Sequence, residues 1–149
     1  MAKHLECNIQ VPSNAHSLGV ARLMKSLAPL YGLNPEKMFM LGYLHDIGYE
    51  LTDKPELHNF EGGDSLRENV HYEYWREVYW HGVHPCPFTS KALDLLNYAD
   101  MSIDKKGQQI SIEQRLKSIK DRYGENSLTY VRAYALSKTL VLPDPPPMK

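Results

Sequence analysis

Apolar residues recur along most of this chain at intervals of three and four, the repeat of a helix with one buried face. His16, Val20, Leu23 and Leu27 share such a stripe, predicting a first helix over Ser13–Ala28. Pro12-Ser13 is its start signal, and Pro29 and Gly32 close it. Asn34-Pro35 reads as N-cap and first-turn proline of a second helix. Met38, Leu41, Tyr43, Leu44 and Ile47 make that helix broadly apolar, with Gly48 placed to end it. Residues 49–60 read as a loop, from Thr52, Asp53, Pro55 and Asn59. A short helix follows over Glu61–Asn69, then an aromatic one over Tyr72–His81 that Gly82, Pro85 and Pro87 interrupt. Ala92, Leu93, Leu95, Leu96, Ala99 and Ile103 predict a helix over Thr89–Ile103, and Lys105-Lys106-Gly107 a turn. Ile112, Leu116 and Ile119 mark a sixth helix; Leu128, Val131, Ala135, Leu136 and Leu140 mark a seventh. No segment alternates as a strand would. The expectation is an all-α bundle of six or seven helices, one domain over 1–142, with a Pro-rich flexible tail over 143–149.

Composition narrows the function. With 149 residues, 42% hydrophobic and a formal net charge of −1, the chain has no global field to attract nucleic acid or an anionic membrane. An anionic ligand must then be held by a local site, and a metal ion is the simplest means of building one. Cys7 and Cys86 form no C-x-x-C pair, the start lacks a secretory signal, and no stretch reaches membrane-spanning length. A cytoplasmic location is expected.

Seven histidines, at 4, 16, 45, 58, 71, 81 and 84, are the distinctive chemistry. His45-Asp46 near a helix end is weak evidence by itself, since about 0.4 such dipeptides arise by chance at this composition. His16 changes the picture, because an unpaired imidazole on an apolar stripe is costly to bury. Asp100, after Tyr98-Ala99 in another apolar helix, needs a partner too. A buried metal would satisfy all of them, and imidazole and carboxylate ligands on packed helices commonly build such sites. His4 and His71 read as surface residues.

The ordered series His16, His45-Asp46-Ile47-Gly48, His58, His81 and Tyr98-Ala99-Asp100 resembles the HD superfamily of metal-dependent phosphohydrolases, over residues 13–104. The resemblance implies that His16, His45, Asp46 and Asp100 coordinate one metal. His58-Asn59-Phe60-Glu61-Gly62-Gly63 and Tyr79-Trp80-His81-Gly82 resemble the segments that add ligands in binuclear members, with Asp46 bridging. His84 is an alternative to His81. The combination is partly similar to bacterial enzymes that split dinucleoside tetraphosphates symmetrically. One divalent ion with Asp46 and Asp100 ionised is formally neutral, whereas two leave a positive surplus suited to a phosphate dianion. Iron or manganese is the first expectation for the ion, with nickel and zinc also compatible.

The implied chemistry is hydrolysis of a phosphoester or phosphoanhydride, the substrate being a nucleotide or another small phosphorylated molecule. Asp46 and Asp104 are the catalytic candidates, Asp104 because it falls four residues after Asp100 on the same helical face. Tyr49, Lys54, Arg76 and His84 are candidate substrate contacts, with Arg67 and Lys105 as further cations. Some relatives carry a basic residue where Tyr49 stands, and its loss motivates the alternative of a catalytically silent domain binding a nucleotide or a protein. A homodimer is compatible with either. The carboxy-terminal helices could cover the pocket or form that dimer contact.

Overall fold

The computed structural model describes residues 11–140, and side chains from residue 15. Among the described residues seven α-helices carry the fold: α1 (Val11–Leu27), α2 (Pro35–Leu44), α3 (His58–Val70), α4 (Trp75–Trp80), α5 (Lys91–Met101), α6 (Ile112–Tyr123) and α7 (Leu128–Ser137). No strand occurs among the described residues; a single antiparallel bridge, Ile103 to Gln109, closes the turn after α5. The all-α expectation holds. The proline-rich tail lies outside the described residues, as do His4 and Cys7.

Local signals explain most boundaries. The Asn34 side chain accepts a hydrogen bond from the Lys37 amide and starts α2; Ser90 does the same for α5 through Leu93. Ser111 and Gln114 form a reciprocal capping box at the start of α6. α1 and α2 cross closely because Gly42 meets the Ala21 backbone, where a Cβ would lie 2.7 Å from the Ala21 Cα. Val20, Met24, Met38, Leu41, Val78, Leu95 and Leu96 fill the main core against α5. Met101, Ile119, Ala133 and Leu136 form a smaller apolar cluster beneath α6 and α7.

Four boundaries depart from the sequence expectation, and each bears on the site. α2 ends at Leu44, so His45 and Asp46 sit in the turn beyond it, before a 3-10 turn over Ile47–Glu50. The expected loop over 49–60 holds a second 3-10 turn, Pro55–Leu57, that feeds straight into α3, so His58 is the first residue of that helix. α5 stops at Met101, which removes Asp104 from the face of Asp100. The aromatic helix is also shorter than expected, and His81 follows its last residue.

Candidate metal centre

Five elements converge on one point. α1 brings His16, the turn after α2 brings His45 and Asp46, the start of α3 brings His58, the end of α4 brings His81, and α5 brings Asp100. His16, His45, Asp46 and Asp100 form one group that could hold a metal ion, and Asp46, His58 and His81 form a second. The two groups share Asp46, whose oxygens face opposite ways. Its Oδ2 lies 3.3 Å from His45 Nε2 and 3.6 Å from His16 Nε2; its Oδ1 lies 3.1 Å from His58 Nε2 and 3.3 Å from His81 Nε2. Asp100 Oδ1 completes the first group at 2.8 Å from His16 Nε2 and 3.3 Å from His45 Nε2.

The far side of every ring is occupied. Nδ1 of His45 donates to the Gly42 carbonyl at 2.6 Å, that of His58 to Pro55 at 2.7 Å, that of His81 to Val78 at 2.6 Å, and that of His16 to Asp104 at 3.1 Å. A carbonyl oxygen only accepts, so each Nδ1 carries the proton and each neutral ring turns its Nε2 lone pair inward. His58 and His81 then oppose lone pairs 3.0 Å apart. One proton shared between them would leave Asp46 Oδ1 facing a lone pair, whereas a cation faces all three atoms. The donor set therefore fits a divalent metal at both positions, by the chemistry of its atoms.

Without metal, protons must supply the positive charge. Burial disfavours a charged His45, but the Asp46 and Asp100 carboxylates outweigh it and hold the ring well above the ordinary histidine range. Burial would also raise Asp46 and Asp100; contacts with the histidines, His45 first, hold both well below the usual carboxylate range. Burial lowers His81, with Asp46 offsetting part of the effect. Tyr49 stacks on His58, ring centroids 4.0 Å apart and nearly parallel. Burial first, and then the Asp46 charge, raise its phenol far above the usual range, so it stays protonated.

A cavity of about 370 Å³ opens onto the cluster. Its other wall is built by α6 and α7, so among the described residues the carboxy-terminal helices line the pocket. Arg115 reaches across it, donating from Nε to the Asp100 carbonyl at 3.2 Å with Nη2 3.7 Å from Asp100 Oδ1. Arg122, Arg132 and Lys105 line the same space.

Several candidates fall elsewhere. Lys54 is exposed and outside the lining; Arg76 lies over the Phe88 ring, 4.0 Å from its centroid; His84 is exposed and borders a different hollow with Cys86 and Phe88. Arg67 lies over Trp75 on the outer surface. The Asp104 carboxylate accepts from the Lys106 and Gln108 amides in its own turn, and only its carbonyl touches the site, through His16. Lys105 does reach the cavity. Arg115, Arg122 and Arg132 were missed, although their cavity-facing neighbours recur at helical spacing, Arg115, Ile119, Arg122 and Tyr123.

A model of the HD domain matches residues 15–126, well over half of the chain. The chain belongs to the HD-domain family. No curated protein and no solved structure matches it, so the likeness to dinucleoside tetraphosphate hydrolases has no support from relatives. HD-domain proteins are commonly hydrolases that bind divalent metals, and the His/Asp cluster lies within the matched span. No helix among the described residues is long and apolar enough to cross a membrane.

Proposed function

We propose that this HD-domain protein is a metal-dependent phosphohydrolase that cleaves a phosphoester or phosphoanhydride of a small phosphorylated molecule, with nucleotides the first class to test. The observation that carries the reading is the 3.0 Å approach of the His58 and His81 Nε2 atoms beside Asp46 Oδ1, with both Nδ1 atoms committed to carbonyls. His16, His45, Asp46 and Asp100 would hold one ion; His58, His81 and the other Asp46 oxygen would hold a second. Iron or manganese suits this mixture of imidazole and carboxylate best, with nickel or zinc as substitutes. Such ions, when bound, acidify water and polarise a phosphoryl oxygen.

The chain's own groups do the rest. Four carbonyl acceptors fix the imidazole tautomers, so the ligands need little reorganisation on binding. Tyr49, protonated and stacked on His58, offers an O–H donor toward the cavity and cannot act as a base at neutral pH. Arg115 orients Asp100 and presents positive charge beside it, where negative charge on equatorial phosphoryl oxygens needs stabilising. A cation missing at Tyr49 favoured a silent binding domain; Arg115, Arg122 and Arg132 supply cations from the opposite wall, and Lys105 adds one from the turn after α5.

The test is phosphate release from a panel of nucleoside mono-, di- and triphosphates and sugar phosphates by protein reloaded with manganese, iron or zinc. Turnover abolished by chelation and restored by metal is expected. No turnover on any member with any metal would contradict the hydrolase and leave a binding domain.

A further inference from the structure

The carboxy-terminal helix α7 lies beyond residue 126, outside the span that matches the HD domain, yet Thr129, Arg132, Ala133 and Leu136 on one of its faces line the cavity. Packing accounts for two of these, since Ala133 and Leu136 belong to the apolar cluster with Met101 and Ile119. Arg132 needs another reason, because a half-buried guanidinium beside apolar side chains gives up hydration. Its Nη1 donates to a backbone carbonyl, that of Glu56, at 2.8 Å, and its Cζ lies 5.6 Å from the centre of the Phe60 ring.

Glu56 is the middle residue of the 3-10 turn Pro55–Leu57, which runs directly into His58. The Pro55 carbonyl accepts from both the His58 backbone amide and His58 Nδ1, so the turn sets the aim of that ring. No residue of the turn is buried, so packing does little to fix it. Among the described residues, the Arg132 bond is the one that ties this turn to a helix other than α3. Phe60, the other group Arg132 touches, stands two residues beyond His58 in the first turn of α3. The first group has no such dependence: His16, Asp100 and His45 come from α1, α5 and the turn after α2, and His45 is fully buried.

We propose that Arg132 is a positioning residue for the second metal position, holding the Pro55–Leu57 turn, and His58 with it, through the Glu56 carbonyl. The inference rests on the two-ion reading of the site, and it makes α7 part of the metal centre. The field of the guanidinium acts the other way, because a cation lining the cavity repels a divalent ion. Deleting that charge without moving any ligand would tighten metal binding, so a loss of affinity identifies positioning.

The experiment is calorimetric titration of the chelator-stripped full chain with manganese, beside thermal unfolding, for the unaltered protein, Arg132→Met, Arg132→Lys and His58→Ala. Methionine keeps an unbranched apolar stem and removes the donors. The unaltered chain should take up two ions. Arg132→Met should weaken the second by about 10–100-fold, the range for groups that orient a ligand, and leave the first within about twofold. Lysine keeps one charged donor, so Arg132→Lys should recover part of the loss. His58→Ala should bind a single ion, and adding Arg132→Met to it should leave that ion's affinity unchanged. Both ions weakened alike with a lower melting temperature, or two ions held equally well without Arg132, would overturn the inference and leave the two-ion reading standing. A single ion bound by the unaltered chain would overturn both. Should Arg132→Met fail to fold, Arg132→Lys carries the same decision, through weakening of the second ion alone.

Discussion

Replacing Gly48 by alanine should break the second half of the site while sparing the first. Gly48 lies in the 3-10 turn after His45-Asp46 and packs directly on the start of α3. A Cβ there would collide with the His58 carbonyl oxygen, come within 2.6 Å of its carbon, and lie 2.9 Å from the Gly62 amide nitrogen. These are backbone atoms of a helix, which no rotamer change can move aside. Restoring ordinary contact means displacing the start of α3 by roughly 2 Å. A ligand atom displaced that far is well outside the ~0.2 Å tolerance of a metal bond. Overpacking of this kind costs about 1–3 kcal/mol, or a fall in melting temperature of roughly 3–10 °C for a chain of this size. The assay is metal content by elemental analysis beside thermal unfolding. The expected result is a lower melting temperature with about one ion fewer per chain, the first group being built from α1, α5 and the turn itself. A variant with unchanged stability and metal content would refute the argument that this close approach positions His58.

Metal binding should release protons, because His45 is protonated in the metal-free protein while a metal needs its neutral ring. The stabilisation from the His45 imidazolium is fully present below about pH 6.5 and lost as pH rises through the raised folded value. That from Asp46 and Asp100 is present above about pH 4 and lost only as pH falls through their depressed values. The gain in melting temperature on adding manganese should therefore grow as pH rises toward the raised His45 value and level off above it, and a gain independent of pH would contradict this protonation state. Asn59→Ala removes the 2.7 Å bond from Asn59 to the Tyr79 carbonyl, which joins α3 to α4 beside both His58 and His81. It should cost about 1–3 kcal/mol and weaken the second metal by about 10–100-fold, read by unfolding and metal titration. Loss of stability with unaltered affinity would assign Asn59 to packing alone.

Much of the centre was legible because its ligand residues are costly where the helical pattern puts them. His16 on an apolar stripe and Asp100 in an apolar helix both need partners, and the structure brings them to His45 and Asp46. The second group was harder to see. His58 looked like a loop residue because Pro55 and Asn59 are turn formers, yet Pro55 opens a 3-10 turn and Asn59 sits inside α3 with its side chain bonded across to α4. Close backbone approaches such as Gly48 on His58 leave no periodic trace at all. The arginine wall escaped notice for another reason: a charged residue on an amphipathic helix reads as solvated unless the opposing surface is known. Arg115 and Arg122 face a cavity only because α6 folds back over α5, a tertiary fact. The same fact settles Asp104 differently from expectation, since α5 ends three residues earlier and leaves its carbonyl, not its carboxylate, to meet His16.

The central claim is that one carboxylate, Asp46, joins two metal positions. It is tested most directly by elemental analysis of protein purified without chelator, with Asp46→Ala analysed in parallel. Close to two transition-metal ions per chain, lost in the variant while its helical content is retained, is the predicted result. One ion per chain would restrict the centre to His16, His45, Asp46 and Asp100. No bound metal, even after incubation with iron, manganese or zinc, would contradict the account.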